Sequence, residues 1–427
     1  MVLSKRMLVL GATTVTIAAV AIAGASIHFP KVSAMLQLQD NPKEIVDEVW
    51  HVIDRSYVDG TFNQNDWDSV RKEYVRPYKD KQEAYKSVRE MLKKLGDPYT
   101  RFMDPDEYRN MKIDTSGELI GVGIQLGADE KSKRPMVIAP IEGSPAAAAG
   151  ILSKDIIIKI DGKSTEGMDD KAAVNLIRGK ANTKVKLTIL RGTKEIDFEL
   201  KRQVIALHPV RFNKQKAPSG EEIGYIRLSQ FSAPAVKEMR DAIETLEKQN
   251  VGGYVLDLRS NPGGLLDASV EIARMWLRQG GIVSTVTREG NTDRKSANAT
   301  ELTQKPMVVL VDGGSASASE ILSGALQDNN RAKIIGTKTF GKGLVQSVRE
   351  IMSDDGESGM AVTIAKYLTP QGRDINKHGI DPDVEIKLTE QDQKNLLSNR
   401  DKIGTPADPQ FAKALQVLLQ DPKQAKS

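Results

Sequence analysis

Three serines stand at alternate positions in Gly313-Gly314-Ser315-Ala316-Ser317-Ala318-Ser319-Glu320, directly after the apolar run Pro306–Val311. The run reads as a buried strand, the small residues as a tight turn, and Ser319 to Gln327 as a helix. A hydroxyl there lies beside backbone N–H groups at a helix N-terminus, where negative charge is favoured. Attack of that hydroxyl on a carbonyl creates an oxyanion, which such N–H groups can receive. The competing reading is structural, because serines commonly do no more than cap and pack a helix start.

A serine nucleophile needs a group to take its proton. The four histidines are poorly placed for it: His28 is in the N-terminal segment, His51 on the first helix, His208 at a domain joint before Pro209, and His378 in a terminal loop. Spacing alone leaves His378 open as the base of a Ser–His–Asp triad. Lys342 is the other candidate. A lysine serves as a base when burial disfavours its charged form. Gly341 and Gly343 let the backbone come close, and Phe340, Leu344 and Val345 are expected to supply apolar surroundings. The plainer alternative is a solvated surface lysine.

The stretch Gly336-Thr-Lys-Thr-Phe-Gly-Lys342 also fits the Gly-x-x-x-x-Gly-Lys spacing of a P-loop, with Val255-Leu256-Asp257 as its metal-holding strand. Gly343, however, stands where a Ser or Thr must hold Mg²⁺. A hairpin, Leu344 to Ile351 against Met360 to Leu368 with Asp354-Asp355-Gly356 as its turn, is predicted where a phosphate-binding helix should begin. The aspartate strand also precedes the loop. A nucleotide site is therefore not expected, and the sequence implies no metal or other cofactor.

The elements that must position these residues fall into blocks. Residues 35–115 are predicted helical, with Ile45, Val49, Val52 and Ile53 at helical spacing, a second helix from about Gln82 to Leu95, and a third beginning at Asp104-Pro105. This block shows no chemistry and reads as a cap or docking element. Residues 116–203 alternate short strands and helices: Glu118 to Leu126, Pro135 to Ala139, a Gly143–Gly150 helix, Ile156 to Ile160, an Asp169–Arg178 helix, and Lys184 to Leu190. Residues 204–390 alternate longer strands and helices, the pattern of a layered β/α domain. Residues 391–427 are polar apart from an amphipathic helix, Phe411 to Leu419, read as a docking or homodimer contact.

The formal net charge is +4, of which Lys5, Arg6 and Lys31 supply three, so residues 35–427 carry +1 and no basic stripe argues for nucleic acid. There is no cysteine, which removes disulfides, thiolate metal sites and cysteine nucleophiles together. Lys5-Arg6, the apolar stretch Met7–Ile27 and Val32-Ser33-Ala34 read as an export signal cut after Ala34. The stretch is also long enough to be an uncleaved membrane anchor. Either way the bulk of the chain is expected outside the cytoplasm.

Residues 116–203 resemble a PDZ domain along their full length, with Gly121-Val122-Gly123-Ile124 at that family's carboxylate-binding loop. Residues from about 41 to 390 resemble the carboxyl-terminal processing proteases, a Ser–Lys tail-specific peptidase family. The matching pieces are Thr100-Arg-Phe-Met-Asp-Pro105, Gly121-Val-Gly-Ile124, Val255-Leu-Asp-Leu-Arg-Ser-Asn-Pro-Gly-Gly264, Gly314-Ser-Ala-Ser-Ala-Ser-Glu-Ile321 and Thr339-Phe-Gly-Lys-Gly-Leu-Val-Gln346, in that order. The resemblance implies an α+β multidomain chain: a ClpP/crotonase-like β/α protease core, a PDZ domain and an N-terminal helical cap. It implies Ser317 as nucleophile, Lys342 as base and Gln346 as the residue that helps hold the lysine. The oxyanion hole falls on the N–H groups of Ala318 and of Gly263 or Gly264. Substrates are proteins captured by their C-terminal tails. Arg178, at the end of the predicted PDZ helix, reads either as a residue that reaches substrate or protease core and communicates occupancy, or as a cation favoured by the dipole at a helix C-terminus. Periplasm or thylakoid lumen is the implied location, with the precursor of a photosystem II reaction-centre protein one candidate substrate in a photosynthetic cell. The rival from another class is a PDZ-bearing scaffold that binds tails without cutting.

Overall fold

The computed structural model describes residues 41–420 apart from 130–131, 169 and 352–357. The export reading of residues 1–34 lies outside these, as do Asp169 and the Asp354-Asp355-Gly356 turn. No helix among the described residues is long and apolar enough to cross a membrane.

The centre is a six-stranded sheet in the order Val210–Lys216, Glu222–Leu228, Gly253–Asp257, Met307–Val311, Lys333–Gly336 and Val384–Glu385. The first pair is antiparallel and the others are parallel. Strand side chains alternate between faces, and here both faces are buried, which is why Met307–Val311 is apolar throughout. Met307, Val309 and Val311 join the cluster under the helices Ala235–Lys248, Leu266–Trp276 and Ala318–Asp328. Val308 and Leu310 face the other way, onto Phe411, Ala414, Leu415 and Leu418 of the Pro409–Gln420 helix. The apolar face of the C-terminal helix is thus consumed within the chain. The docking alternative is the one observed.

The C-terminal helix is fixed by a buried ion network. Arg259 donates to Asp257 at 2.6 Å, to Asp408 at 2.7 Å and to Gln410 at 2.9 Å, while the Tyr225 hydroxyl donates to Asp257 at 2.7 Å. Burial alone would raise the Asp257 pKa, but Arg259, Arg227 and the Tyr225 hydrogen bond outweigh it and hold the carboxyl below its ordinary range.

A second sheet is built on the Ser358–Leu368 strand, which pairs with Leu344–Ile351, with Gly281–Thr287 and with Arg101–Met103 from the N-terminal region. The helices Pro42–Ser56, Trp67–Tyr74 and Lys81–Lys93 form one cluster that includes Ile351, Met360 and Val362 of the hairpin. Residues 41–115 therefore share a core with the second sheet. The PDZ block has its own cluster and a sheet in the order Ile124–Ala128, Pro135–Pro140, Ile156–Ile160, Lys184–Arg191, Lys194–Lys201. The expected single strand Glu118–Leu126 is two: Glu118–Gly121 pairs with Gln203–Ala206 in a two-stranded neck, and Ile124–Ala128 enters the PDZ sheet. Gly123, at φ +77 and packed on Ser144, supplies the break.

Asp408→Ala leaves part of the Arg259 guanidinium buried without its partner. Loss of one member of such a buried group costs about 3 kcal/mol, a fall of roughly 6–12 °C in Tm for a domain of this size. Calorimetry of the variant checks this, and an unchanged transition would mean that the helix is held by its apolar face alone.

Candidate active site

Three parallel strands end on one side of the central sheet and deliver the site loops. After Met307–Val311 the chain turns through Asp312 and the two glycines into the Ala318–Asp328 helix. Asp312 Oδ1 accepts N–H bonds from Ser260 and Gly314, and Asn261 O accepts from Ala316 N, stitching this turn to the loop after Gly253–Asp257. The three serines are thereby sorted. Ser315 is fully buried and donates to Leu258 O at 2.8 Å; Ser319 is fully buried and donates to Asn261 O at 2.9 Å. Ser317 alone of the three is partly exposed, and its backbone is held at φ 56, ψ −114. A non-glycine residue there costs on the order of 1–3 kcal/mol and persists only where its surroundings impose it.

Glu320 imposes it. The side chain is fully buried, and its carboxylate accepts from Ser317 N at 2.8 Å, Lys342 N at 2.8 Å, Gly341 N at 2.7 Å and Thr339 Oγ1 at 2.6 Å. One oxygen, Oε2, takes the N–H groups of both Ser317 and Lys342. On the carbonyl side, the Tyr367 hydroxyl donates to Lys342 O and lies 3.2 Å from Ser317 O. Burial, reinforced by Glu320, pushes the Tyr367 pKa far up, so it remains a neutral donor. The main chains of Ser317 and Lys342 are thus neighbours at both ends of the peptide unit.

Lys342 is half-buried. Burial holds its pKa below the ordinary 10.5, and Arg101 pushes the same way against the opposing pull of Asp97 and Glu320. Its ammonium lies over the Tyr99 ring, 5.0 Å from the centroid, and makes no hydrogen bond among the described residues. The apolar company expected from Phe340 is not there, because Phe340 is 57% exposed; it comes instead from the N-terminal region. Gln346, expected to hold the lysine, donates to Thr363 Oγ1 at 3.3 Å. Thr363 Oγ1 in turn donates to Asp97 Oδ2 at 2.6 Å, which also receives Thr100 Oγ1 at 2.7 Å. Asp97, Tyr99 and Arg101 therefore sit beside Lys342, although residues 35–115 gave no sign of chemistry in the sequence. Glu320 did leave a signal, the Ser-x-x-Glu spacing of a capping box; Tyr99 left none.

Gly263 packs so closely on the Ser317 turn that a side chain there would strike Ala316 O and Ala318 N. Its own N–H is committed to Asn261 Oδ1 at 2.9 Å. The N–H groups of Gly264 and Ala318 have no partner among the described residues. Lys342 is followed by the Leu344–Ile351 strand and its N–H is taken by a carboxylate, which excludes the P-loop arrangement. Two of the histidines lie elsewhere, His51 beside Asp47 and Arg71 and His208 paired with Glu238 at 2.6 Å, whereas His378 is exposed with its backbone packed on Gly341, next to Lys342.

In the PDZ block, the N–H groups of Val122 and Gly123 are unpaired among the described residues, while their carbonyls accept from Ala146 and Ile141. A cavity of about 420 Å³ is lined by Leu126, Val174, Asn175 and Arg178 of the PDZ block and by Ile113 and Asp114 of the Pro105–Ser116 helix, among others. Arg178 donates to Asn110 Oδ1 at 2.6 Å on that helix. Burial and the nearby Arg109 lower its pKa, against Asp106 and Asp114.

Residues 222–386 match peptidase family S41, and residues 110–190 match the PDZ domain. The chain is 44% identical over 398 residues to a carboxyl-terminal-processing protease of Synechocystis sp., spanning 92% of this chain and 91% of that one. A carboxyl-terminal-processing protease of Picosynechococcus sp. is 47% identical over 382 residues, 89% and 90% of the two chains. A solved structure, described as a photosystem II D1 C-terminal processing protease, superposes with a TM-score of 0.56 at 36% identity, over 87% of this chain and 99% of that one. With a strained serine beside a half-buried lysine, a PDZ domain and these relatives, the chain belongs to the carboxyl-terminal-processing proteases, serine peptidases of family S41.

Proposed function

We propose that the protein is an exported endopeptidase that captures protein substrates by their C-terminal tails and cuts near them with a Ser317–Lys342 dyad. The observation that carries this reading is the shared bracing of the two residues, one carboxylate oxygen on both N–H groups and one hydroxyl against both carbonyls. The neutral Lys342 amine swings from the Tyr99 ring to Ser317 and takes the hydroxyl proton as Oγ attacks the scissile carbonyl. The oxyanion lies against the N–H groups of Ala318 and Gly264; the commitment of the Gly263 N–H to Asn261 favours Gly264 as the second donor. Lys342 then protonates the leaving amine, and the same group activates water for deacylation. Gln346 acts through Thr363, on the surroundings of the lysine.

The tail lies between the Ile124–Ala128 strand and the Asp170–Ile177 helix, its carboxylate on the N–H groups of the Gly121–Ile124 loop. Arg178 reports occupancy through Asn110. Residues 1–34 direct export, to the periplasm or to a thylakoid lumen, and relatives described as chloroplastic support the second setting. In a photosynthetic cell the precursor of a photosystem II reaction-centre protein is a fitting substrate. Membrane association through the N-terminal segment and a homodimer formed through a surface other than the docked C-terminal helix are parts of the same proposal.

Incubation with a tail-bearing protein and mass spectrometry of the products tests the reading. New termini are expected from the intact enzyme and none from Ser317→Ala or Lys342→Ala, each folded as judged by circular dichroism. Cleavage that survives Lys342→Ala, or that is lost in His378→Ala, would transfer the base to another group. Because Lys342 must be neutral to act and its pKa is depressed, kcat/KM should rise with pH and level off below the ordinary lysine value of 10.5.

Glu320→Gln places an NH₂ against donors that now meet an oxygen. Loss of charge-assisted bonds worth about 1.5–3 kcal/mol loosens the dyad, and kcat should fall roughly 10–100-fold with KM little changed. A rise in KM with unaltered kcat would assign Glu320 to substrate binding instead.

A further inference from the structure

We propose that Tyr99 is a positioning residue for Lys342, its ring holding the amine out of bulk water, so that the N-terminal helical region supplies part of the setting of the base. This rests on Lys342 acting as the base. Among the described residues, the ring is the one aromatic face against the ammonium, 5.0 Å from centroid to nitrogen. It is placed with care. Tyr99 N donates to Asp97 Oδ1 at 2.9 Å, and Asp97 Oδ2 receives both Thr100 and Thr363 hydroxyls. Thr100 Oγ1 accepts from Thr363 N at 3.0 Å, and both threonines are buried. On the next residues, Arg101 pairs with Ala361 as the Arg101–Met103 strand joins Ser358–Leu368. The loop carrying Tyr99 is thereby locked to the same strand that presents Tyr367 to the nucleophile and base.

The ring acts on the amine in two opposed ways. A cation over an aromatic face is attracted to it, which favours the charged form. Exclusion of water disfavours that form, and burial is the largest influence on this lysine. The other charged or titratable groups facing it are Arg101 from the short strand, Asp97 from the same loop, Glu320 from the Ala318–Asp328 helix and Tyr367 from the long strand. None of these is removed when Tyr99 is replaced. The loss of the ring therefore exposes the amine to water and raises the pH at which it becomes neutral.

The test is the pH dependence of kcat/KM for peptide cleavage in Tyr99→Ala and Tyr99→Phe. Tyr99→Ala should shift the acidic limb upward by about one pH unit, a roughly tenfold loss on the limb that vanishes at high pH where the amine is neutral in both proteins. Tyr99→Phe, which keeps the ring, should follow the parent profile. A deficit in Tyr99→Ala that is equal at every pH, or a Phe variant as impaired as the Ala one, overturns the proposal, as does an effect confined to KM. If Tyr99→Ala does not fold, Tyr99→Gln, similar in reach but polar, carries the same comparison. A second readout needs no turnover: in the Ser317→Ala protein, the pH midpoint for acetylation of Lys342 by acetic anhydride should also move upward when Tyr99 is replaced. Lys342→Ala separates the two levels of inference. Cleavage that survives it removes the base and this proposal together, whereas cleavage abolished by it, with an unshifted Tyr99→Ala profile, removes only the role of Tyr99.

Discussion

One buried carboxylate holds the site together. Glu320 brings four donors from one loop and a helix start onto two oxygens, in a place with no access to water. A charge so deeply buried is tolerated only when its lone pairs are saturated, and saturation here requires the Thr339–Lys342 loop to lie against the Ser317 turn. The same bonds offset the backbone strain at Ser317. The carboxylate therefore makes the strained residue and the lysine loop conditional on each other, and neither geometry is expected to survive alone.

The surrounding architecture explains how such a joint can be built. The loops after Gly253–Asp257, Met307–Val311 and Lys333–Gly336 all leave the same edge of the sheet, the C-terminal ends of its parallel strands, where open β/α sheets gather their ligand-binding loops. Arg259, Asp257 and Asp408 fix the base of the first loop from beneath. Gly263 can then approach the Ser317 turn closely enough to leave no room for a side chain. Rigidity comes from the buried sheet, while the Lys342 side chain makes no hydrogen bond among the described residues and rests on the Tyr99 ring.

Much of this was legible in the sequence where one residue type has one physical use. The apolar runs before Asp257 and Asp312 could only be buried strands, and the hairpin after Lys342 ruled out a phosphate loop. The order of the small-residue motifs pointed to the serine turn. What distinguishes the three serines was not legible: Ser315 and Ser319 are withdrawn by carbonyls at Leu258 and Asn261, on another loop. Phe340 misled because apolarity does not say which way a side chain points, and on a glycine-flanked loop it points outward. Tyr99 was beyond reach for a different reason. Its place beside Lys342 exists only because Arg101–Met103 pairs with a strand far along the chain, and no local pattern encodes that pairing.

The stretch from Asp97 to Ser116 meets two sites at once. One end sets Tyr99 beside the lysine; the other, the Pro105–Ser116 helix, forms a wall of the PDZ groove and receives Arg178. This wall is firmly seated. Its N-terminus is capped by Asp104 and tied to Arg89, and Tyr108 packs into space that only Gly359 of the long strand leaves open. The PDZ block, by contrast, joins the core through two four-residue strands with Ile120 and Val204 exposed on them. Few buried contacts mean a low local cost of opening. In the proposed reading, adjustment to a bound tail falls mainly on the neck and the PDZ side of the groove, and it reaches the wall through the Arg178–Asn110 hydrogen bond.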